Sequence, residues 1–202
     1  MRRIKCCAFL VVCVSVLVFG VTDGVCGDRD HQNGFFLRLA LGAGPARSKI
    51  SSGPQFVKFS GGGADMEIAI GGIVTPNLAL HGTLFGWAIN DPNGETHLGS
   101  GDVNGDLTMS ALGIGLTYFF MPVNLYLSGS VGVGSLSGGG NIDGESDTGL
   151  ALEAVAGKEW FVSKRWGLGV SVGFTYHSFP DGGVDENWKG WSIPIRFSAT
   201  FN

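Results

Sequence analysis

The sequence predicts an all-β fold, an eight-stranded antiparallel up-and-down barrel that crosses a membrane. Three observations predict it: apolar and polar residues alternate along eight segments, short turns alternate with long polar connections, and aromatic residues gather at both ends of the strands. Successive side chains of a strand point to opposite faces, so each segment has one apolar and one polar face. In a membrane barrel the apolar face contacts lipid and the polar face lines the lumen.

The N-terminus, residues 1–27, is predicted to be a signal peptide. A basic start is followed by the uncharged apolar run 8–19, which is too short to span a membrane as a helix. Cleavage there would leave residues 28–202 as one barrel domain. The alternative, lipidation at Cys26, is less favoured because Val25 is a poor residue to precede the modified cysteine.

The composition of the barrel domain excludes several kinds of site. All four cysteines lie in the leader, which excludes disulfides, cysteine-ligated metals and a cysteine nucleophile. The domain has 10 basic and 16 acidic residues, a net charge of −6, and no run of Lys or Arg, which argues against nucleic acid as a partner. The abundant glycines fit close strand packing around a narrow lumen.

Alternation defines the first four strands. Apolar side chains alternate with Arg38 in the first strand and with Asp65 and Glu67 in the second. The third strand changes parity at Phe85 and Trp87, which predicts either a bulge or a lumen filled by aromatic residues. These strands are predicted at residues 35–43, 64–71, 78–89 and 107–120.

The last four strands alternate in the same way. Glu153 and Glu159 lie on the polar face of the sixth, and Arg196 on that of the eighth, where Pro194 predicts a bulge or local break. Residues 107–142 contain no charged residue, but a proline and glycines at period two favour strands there over a membrane helix. These strands are predicted at residues 124–134, 149–160, 168–176 and 191–201.

The connections have two lengths. Short turns are expected at residues 74–77, 121–123 and 162–165, and long polar connections at residues 44–62, 90–105, 135–148 and 178–190. Short periplasmic turns and long extracellular loops are typical of bacterial outer-membrane barrels. Aromatic rings settle at headgroup level, so the sequence predicts two interfacial belts. They comprise Tyr118, Phe120, Trp160, Trp166 and Phe201 at the short-turn end, and Trp87, Tyr176, Trp188 and Trp191 at the long-loop end.

The leader, the eight alternating strands and the aromatic last strand together resemble the small eight-stranded outer membrane β-barrel proteins, the OmpA/OmpX/OmpW-like group. The resemblance covers the whole of residues 28–202. It implies a Gram-negative cell envelope protein of the outer membrane, monomeric, inserted by the barrel-assembly machinery and in contact with outer membrane lipids and lipopolysaccharide. Family members usually end on the aromatic residue itself, whereas here Asn202 follows Phe201.

Six charged residues are predicted to face the lumen: Arg38, Asp65, Glu67, Glu153, Glu159 and Arg196. The first, second and eighth strands are neighbours in a closed barrel, so we expect Arg38, Glu67 and Arg196 to meet. Buried charges must be paired, and an eight-stranded lumen is just wide enough for side chains to fill. The favoured interpretation is a structural ion-pair network, and the alternative is a gated polar path for protons or small ions.

Candidate chemistry is sparse, and we expect no enzyme and no cofactor. His81 and His177 are the best general-base candidates, but His177 and Ser178 are adjacent and lie on opposite faces, so we interpret the histidine as a solvated rim residue. Residues 102–106 resemble the start of a calcium loop, yet its glycine and glutamate positions do not match. The acidic loops could bind divalent ions weakly.

The sequence thus predicts a structural or surface-exposed role. One alternative is a porin-like passive channel for small hydrophobic compounds, which the OmpW-like members imply and which a lateral opening near Pro194 would favour. The other, less favoured, is an enzyme that modifies lipid A, for which a lipid-facing pair of His and Ser would be needed.

Overall fold

The computed structural model describes His31 and residues 34–53, 55–142, 144–181 and 184–202. The predicted signal peptide and Cys26 lie outside these residues. In the described part of the chain, no helix is long and apolar enough to cross a membrane. Its strands are β1 Phe35–Ser52, β2 Gln55–Thr75, β3 Leu78–Asn90, β4 Asn93–Thr96, β5 Gly99–Asp102, β6 Gly105–Phe120, β7 Leu125–Gly140, β8 Gly149–Phe161, β9 Trp166–Asp181, β10 Val184–Ser192 and β11 Ile195–Phe201.

The strands close into a ring. From β1, antiparallel pairing runs through β2, β3, β6, β7, β8 and β9. Strand β9 then pairs with both β10 and β11, and these return to the free edge of β1. Each strand position in the ring is called a wall. Strands β10 and β11 together occupy one wall, which is interrupted at Ile193 and Pro194, so the ring has eight walls. The predicted eight-stranded up-and-down barrel is confirmed.

The barrel end that carries the long connections is called the upper end. At this end the strands extend further than predicted. The predicted polar connection at residues 44–62 is wrong, because β1 continues to Ser52 and pairs with β2 without a shift from Phe35 and Gly72 to Ser52 and Gln55. Inside the second long connection, β4 and β5 form a hairpin whose first strand pairs with the upper part of β2. The short turns all lie at the opposite, lower end.

The outer face of the barrel is apolar around its whole circumference. Side chains of this apolar belt are far more exposed than is usual for their type, with Phe197 at 72% and Ile114 at 65%. Monomeric soluble proteins rarely expose apolar patches of more than a few hundred Å². The belt is represented on successive walls by Leu41, Met66, Leu84, Ile114, Val131, Leu152, Phe174 and Phe197.

The lumen is filled by two apolar clusters. The lower one includes Phe36, Phe119 and Tyr126. The upper one contains Phe85, Trp87, Ile89, Leu107, Met109, Leu136 and Phe179. The register of β3 with β6 is continuous through Phe85 and Trp87, so the aromatic-filled lumen is correct and the bulge is not. Trp87 therefore lies inside the barrel, and its assignment to the upper interfacial belt was wrong.

Candidate functional site

A network of charged side chains lies between the two apolar clusters. Arg38 of β1 donates to Oε1 of Glu67 from Nη2 at 2.6 Å and from Nε at 3.1 Å. Its guanidinium also donates to the hydroxyls of Thr117 at 3.2 Å and Ser128 at 3.0 Å. Arg38 is fully buried, so these bonds replace the water that it loses.

Arg196 of β11 joins the same network from the other side of β1. It donates to Oε2 of Glu67 at 2.9 Å and to Oε1 of Glu153 at 2.7 Å, and it forms an ion pair with Asp65. Glu67 thus accepts from both arginines, one at each oxygen. The lumen network, as we call it, consists of Arg38, Asp65, Glu67, Glu153 and Arg196.

Glu159, the sixth predicted lumen residue, stands apart from the lumen network. It is buried near the lower end and accepts a hydrogen bond from Thr200 at 2.5 Å. Its other oxygen has no hydrogen-bond partner among the described residues. Farther down, His31 stacks on Phe119 at a ring-centroid distance of 3.6 Å and bonds Asn124 at 3.0 Å.

Both candidate histidines are buried in the lumen, so the interpretation of His177 as a solvated rim residue was wrong. His81 bonds Thr83 at 2.6 Å and Thr117 at 2.9 Å. His177 bonds the hydroxyl of Ser48 at 3.0 Å. Its Nδ1 has no hydrogen-bond partner within the described residues, so no acid is seen to orient the ring.

The pair of His177 and Ser48 was not predicted from sequence, because residues 44–62 were predicted to be a loop. Had alternation been followed upward from Arg38, every second residue up to Ser48 would have been assigned to the lumen. Aromatic rings surround the histidine of this pair. The His177 ring stacks on Phe179 at a centroid distance of 4.9 Å, and its centroid lies 5.8 Å from that of Trp87. The pair does not face lipid.

The aromatic side chains of the predicted belts divide into two groups. Tyr118, Phe120 and Trp160 are exposed on the lower outer face, and Trp166 packs edge-on against Phe201 at 5.3 Å. At the upper end Tyr176 and Trp191 are paired on neighbouring strands and line an outer groove.

Trp188 is the second residue that was wrongly assigned to the upper interfacial belt. It has the same parity as Ser192, which is buried, and it packs against the upper apolar cluster. Its ring stacks on Phe59 at 6.1 Å, and its Nε1 donates to Asp181 at 3.2 Å. Like Trp87, it was misassigned because tryptophan can occur on either face of a strand that ends near a membrane interface.

A surface cavity, here called the cup, opens at the upper end, above the upper apolar cluster. Its volume is about 630 Å³, within the range of small-molecule sites. The cup is lined by apolar side chains, including Phe59, Leu107, Leu136, Ile142 and Trp188, and by four carboxylates, those of Glu95, Asp102, Glu145 and Asp181. Among the described residues no group of His, Cys, Asp and Glu is arranged to hold a metal ion.

The local break predicted at Pro194 is confirmed, because strand pairing is interrupted at Ile193 and Pro194. The register is the same on both sides of the interruption, so there is no bulge. Across the interruption at Ile193 and Pro194, the N–H of Ile193 donates to the carbonyl of Pro45 at 3.0 Å. On the other side the N–H of Gly173 donates to the carbonyl of Pro194 at 2.9 Å. These two bonds link the wall to β1 and β9, so the described backbone leaves no lateral opening at this point.

Comparison with known proteins identifies the fold. No protein-family profile matches the chain, and no curated protein matches it. Among solved structures, Neisserial surface protein A (NspA) is 17% identical, covers 83% of this chain and 96% of its own, and superimposes with a TM-score of 0.57. Ail of Yersinia pestis, solved in complex with the heparin analogue sucrose octasulfate, is 11% identical over 83% of this chain and 99% of its own, with a TM-score of 0.47. The outer membrane protease OmpT of Escherichia coli is 10% identical over 85% of this chain and 97% of its own, with a TM-score of 0.43.

The chain therefore has the fold of the small eight-stranded outer membrane β-barrel proteins, as the sequence resemblance predicted. A barrel that spans a membrane needs a closed ring, because every backbone group must be paired where lipid excludes water. It also needs an apolar outer belt, because that face contacts lipid.

Proposed function

We propose that the chain is an integral protein of a bacterial outer membrane with a closed lumen and a structural or surface-exposed role. The observation that carries this proposal is the layered filling of the lumen. An upper apolar cluster, the lumen network and a lower apolar cluster follow one another along the barrel axis. Such a filling opposes the passage of ions, because a permeating ion would have to displace both apolar layers and exchange with buried ion pairs.

The apolar belt supports the membrane location. Soluble barrels expose polar side chains on their outer face, whereas here the outer face is apolar and the described interior holds two arginines, four carboxylates and three histidines. The strands extend beyond the belt on the upper side, so that β1, β2 and the hairpin of β4 and β5 present a polar surface outside the bilayer. This surface is where contacts with other molecules would be made.

The partners expected from the resemblance are part of this proposal. They are outer membrane lipids and lipopolysaccharide around the belt and the barrel-assembly machinery during insertion, with the barrel itself a monomer. Catalysis is not part of it: the prediction that the chain is not an enzyme stays a prediction, and the buried pair of His177 and Ser48 lacks the lipid-facing position that a lipid-modifying enzyme would need.

Planar bilayer recordings on refolded residues 28–202 test the closed lumen. We expect no stable conductance from the wild type. We expect none from Glu67→Gln either, although that variant should unfold at a lower temperature because both arginines lose part of a charged partner. Stable conducting steps in the wild type that change in Glu67→Gln would instead support a gated ion path.

The cup favours a second candidate function, binding of a small organic cation. Its apolar lining and stacked aromatic rings suit a hydrophobic group. Its carboxylates other than Glu95, which is paired with Lys58, suit a positive charge. The ligand would bind at the surface and not pass through, since Trp87 and the other residues of the upper apolar cluster lie beneath the cup.

A further inference from the structure

Three lysines lie side by side on the outer face of the upper barrel. Lys49 of β1 is paired with Lys58 of β2 on one side and with Lys189 of β10 on the other. They point outward because the residue that precedes Lys49 in β1 points into the lumen. Two residues nearer the apolar belt, Arg47 also points outward, and it is paired with Trp191. Arg47, Lys49, Lys58 and Lys189 are called the basic row below.

The basic row concentrates more positive charge than the described acids beside it neutralise. Like charges directly opposite each other on a sheet destabilise it. Lys58 has a partner, because it forms an ion pair with Glu95 of β4. The other three cations form no ion pair within the described residues. One more carboxylate, that of Glu186, lies beside the row, in the outer groove that Tyr176 and Trp191 line. The four cations of the basic row are thus accompanied by two described acids, Glu95 and Glu186.

The groove between these cations has the size and lining of a headgroup site. It has a volume of about 300 Å³ and is lined by Arg47, Lys49 and Lys189 together with the rings of Tyr176 and Trp191. Arginine can bind a phosphate through two parallel N–H groups, and lysines add mobile point charges. The aromatic rings suit the boundary between acyl chains and headgroups.

The height of the basic row matches that of lipid phosphates. The exposed side chains of β1 are apolar up to Pro45, and those of the adjoining wall are apolar from Phe197 up to Ile193. Strands rise about 3.3 Å per residue, so Arg47 and Lys49 lie roughly 7 and 13 Å along the strand beyond Pro45. A strand tilt of about 35–45° shortens these distances to roughly 5 and 10 Å along the membrane normal. Arg47 therefore lies in the headgroup layer, and the long side chain of Lys49 reaches that layer from just above it.

We propose that the basic row and its groove bind the phosphate groups of an anionic lipid of the outer leaflet. The inference rests on the proposed membrane location and adds to it a defined contact with lipid. A bound phosphate bridges Arg47, Lys49 and Lys189 and relieves their mutual repulsion. The lipid thereby joins β1 to β10 at the rim, close to the interruption of the last wall.

Binding of bisphosphorylated lipid A to the folded barrel in mixed micelles tests this site. Affinities are measured by thermophoresis for the wild type and for the triple variant Arg47→Gln, Lys49→Gln, Lys189→Gln. The matched control removes three cations at the lower end, Lys158→Gln, Lys164→Gln and Arg165→Gln. Parallel titrations use the same lipid without its phosphates and inorganic phosphate as competitor.

We expect the upper variant to lose affinity for the phosphorylated lipid by about a hundredfold, roughly fivefold for each cation removed near a membrane surface. The lower control should change affinity by less than about twofold, and the wild type should bind more weakly as salt increases. Inorganic phosphate should compete only at far higher concentration. Equal binding of the two lipids, or an upper variant that binds like the wild type, overturns the site while leaving the barrel intact. A wild type that does not fold in detergent overturns the proposed function instead.

Discussion

Arg196 of β11 reaches Asp65 of β2 directly across Gly42 of the intervening strand β1. Gly42 is paired with both residues in the sheet, and a Cβ atom on it would lie 2.8 Å from Cγ of Arg196. The absence of a side chain at Gly42 leaves room for the side chain of Arg196 to cross the strand and meet its acids. The lumen network thus depends on a glycine that carries no charge.

Gly42→Ala should destabilise the barrel by about 1–3 kcal/mol, because the added methyl group crowds the carbonyl oxygen of Ile195 as well as Cα and Cγ of Arg196. Urea unfolding in detergent micelles, followed by circular dichroism, measures the change. Gly62→Ala is the matched control, since a Cβ at Gly62 meets nothing within 4 Å. Equal effects of the two substitutions would show that the crossing imposes no steric demand.

Arg196→Gln should cost about 3–5 kcal/mol of unfolding free energy, because it leaves Asp65, Glu153 and one oxygen of Glu67 without their cation in a buried site. The same unfolding assay applies. Arg165→Gln in the lower turn removes an equal charge outside the lumen and should change stability by less than about 1 kcal/mol. A loss of under 1 kcal/mol for Arg196→Gln would contradict the network.

The pKa of Glu95 is lowered from its ordinary value of 4.5, first by the hydrogen bond from Lys58 and then by its charge, with smaller contributions from Arg47 and Lys49. Because folding lowers this pKa, the ion pair stabilises the attachment of β4 in full at pH values above 4.5. This stabilisation is lost as the pH falls from 4.5 through the lowered pKa of the folded state. Carboxyl titration by NMR should show a larger upward movement of the Glu95 pKa in Lys58→Gln than in Lys49→Gln. The reverse order would exclude the ion pair.

Trp188 should report on the cup. Titration with phenyltrimethylammonium, a small aromatic cation, should quench its fluorescence in a saturable manner, and Trp188→Phe should remove that saturable component. Glu145→Gln should weaken binding severalfold, because it removes one of the carboxylates that line the cup. Linear, unsaturable quenching in the wild type would show that the cup has no affinity for such cations.

The apolar belt and the eight walls could be predicted from sequence because lipid imposes a period of two on every spanning strand. That signal fades where strands leave the bilayer. From Arg47 upward the outer face of β1 is polar, and its inner face mixes Ser48 with Ile50, so both faces lose their contrast and the segment resembles a loop. The upper barrel was missed for this physical reason.

The inward charges could also be assigned to the lumen from parity, and the meeting of Arg38, Glu67 and Arg196 could be predicted from the adjacency of their strands. The contact of Glu153 with Arg196 could not. Arg38, Glu67 and Arg196 come from three adjacent walls, whereas Glu153 reaches Arg196 from β8, across β9. Contacts across a lumen depend on barrel diameter and side-chain reach, which alternation does not encode. The bond between His177 and Ser48, 129 residues apart, needed the extended strands as well.

The most direct test of the account is the electrophoretic mobility of refolded residues 28–202 in detergent, with and without boiling. A closed membrane barrel resists detergent until heated, so we expect two mobilities and strand-type circular dichroism in the unboiled sample. A single mobility, together with a soluble monomer in buffer without detergent, would contradict the membrane barrel and identify the chain as a secreted soluble β-protein.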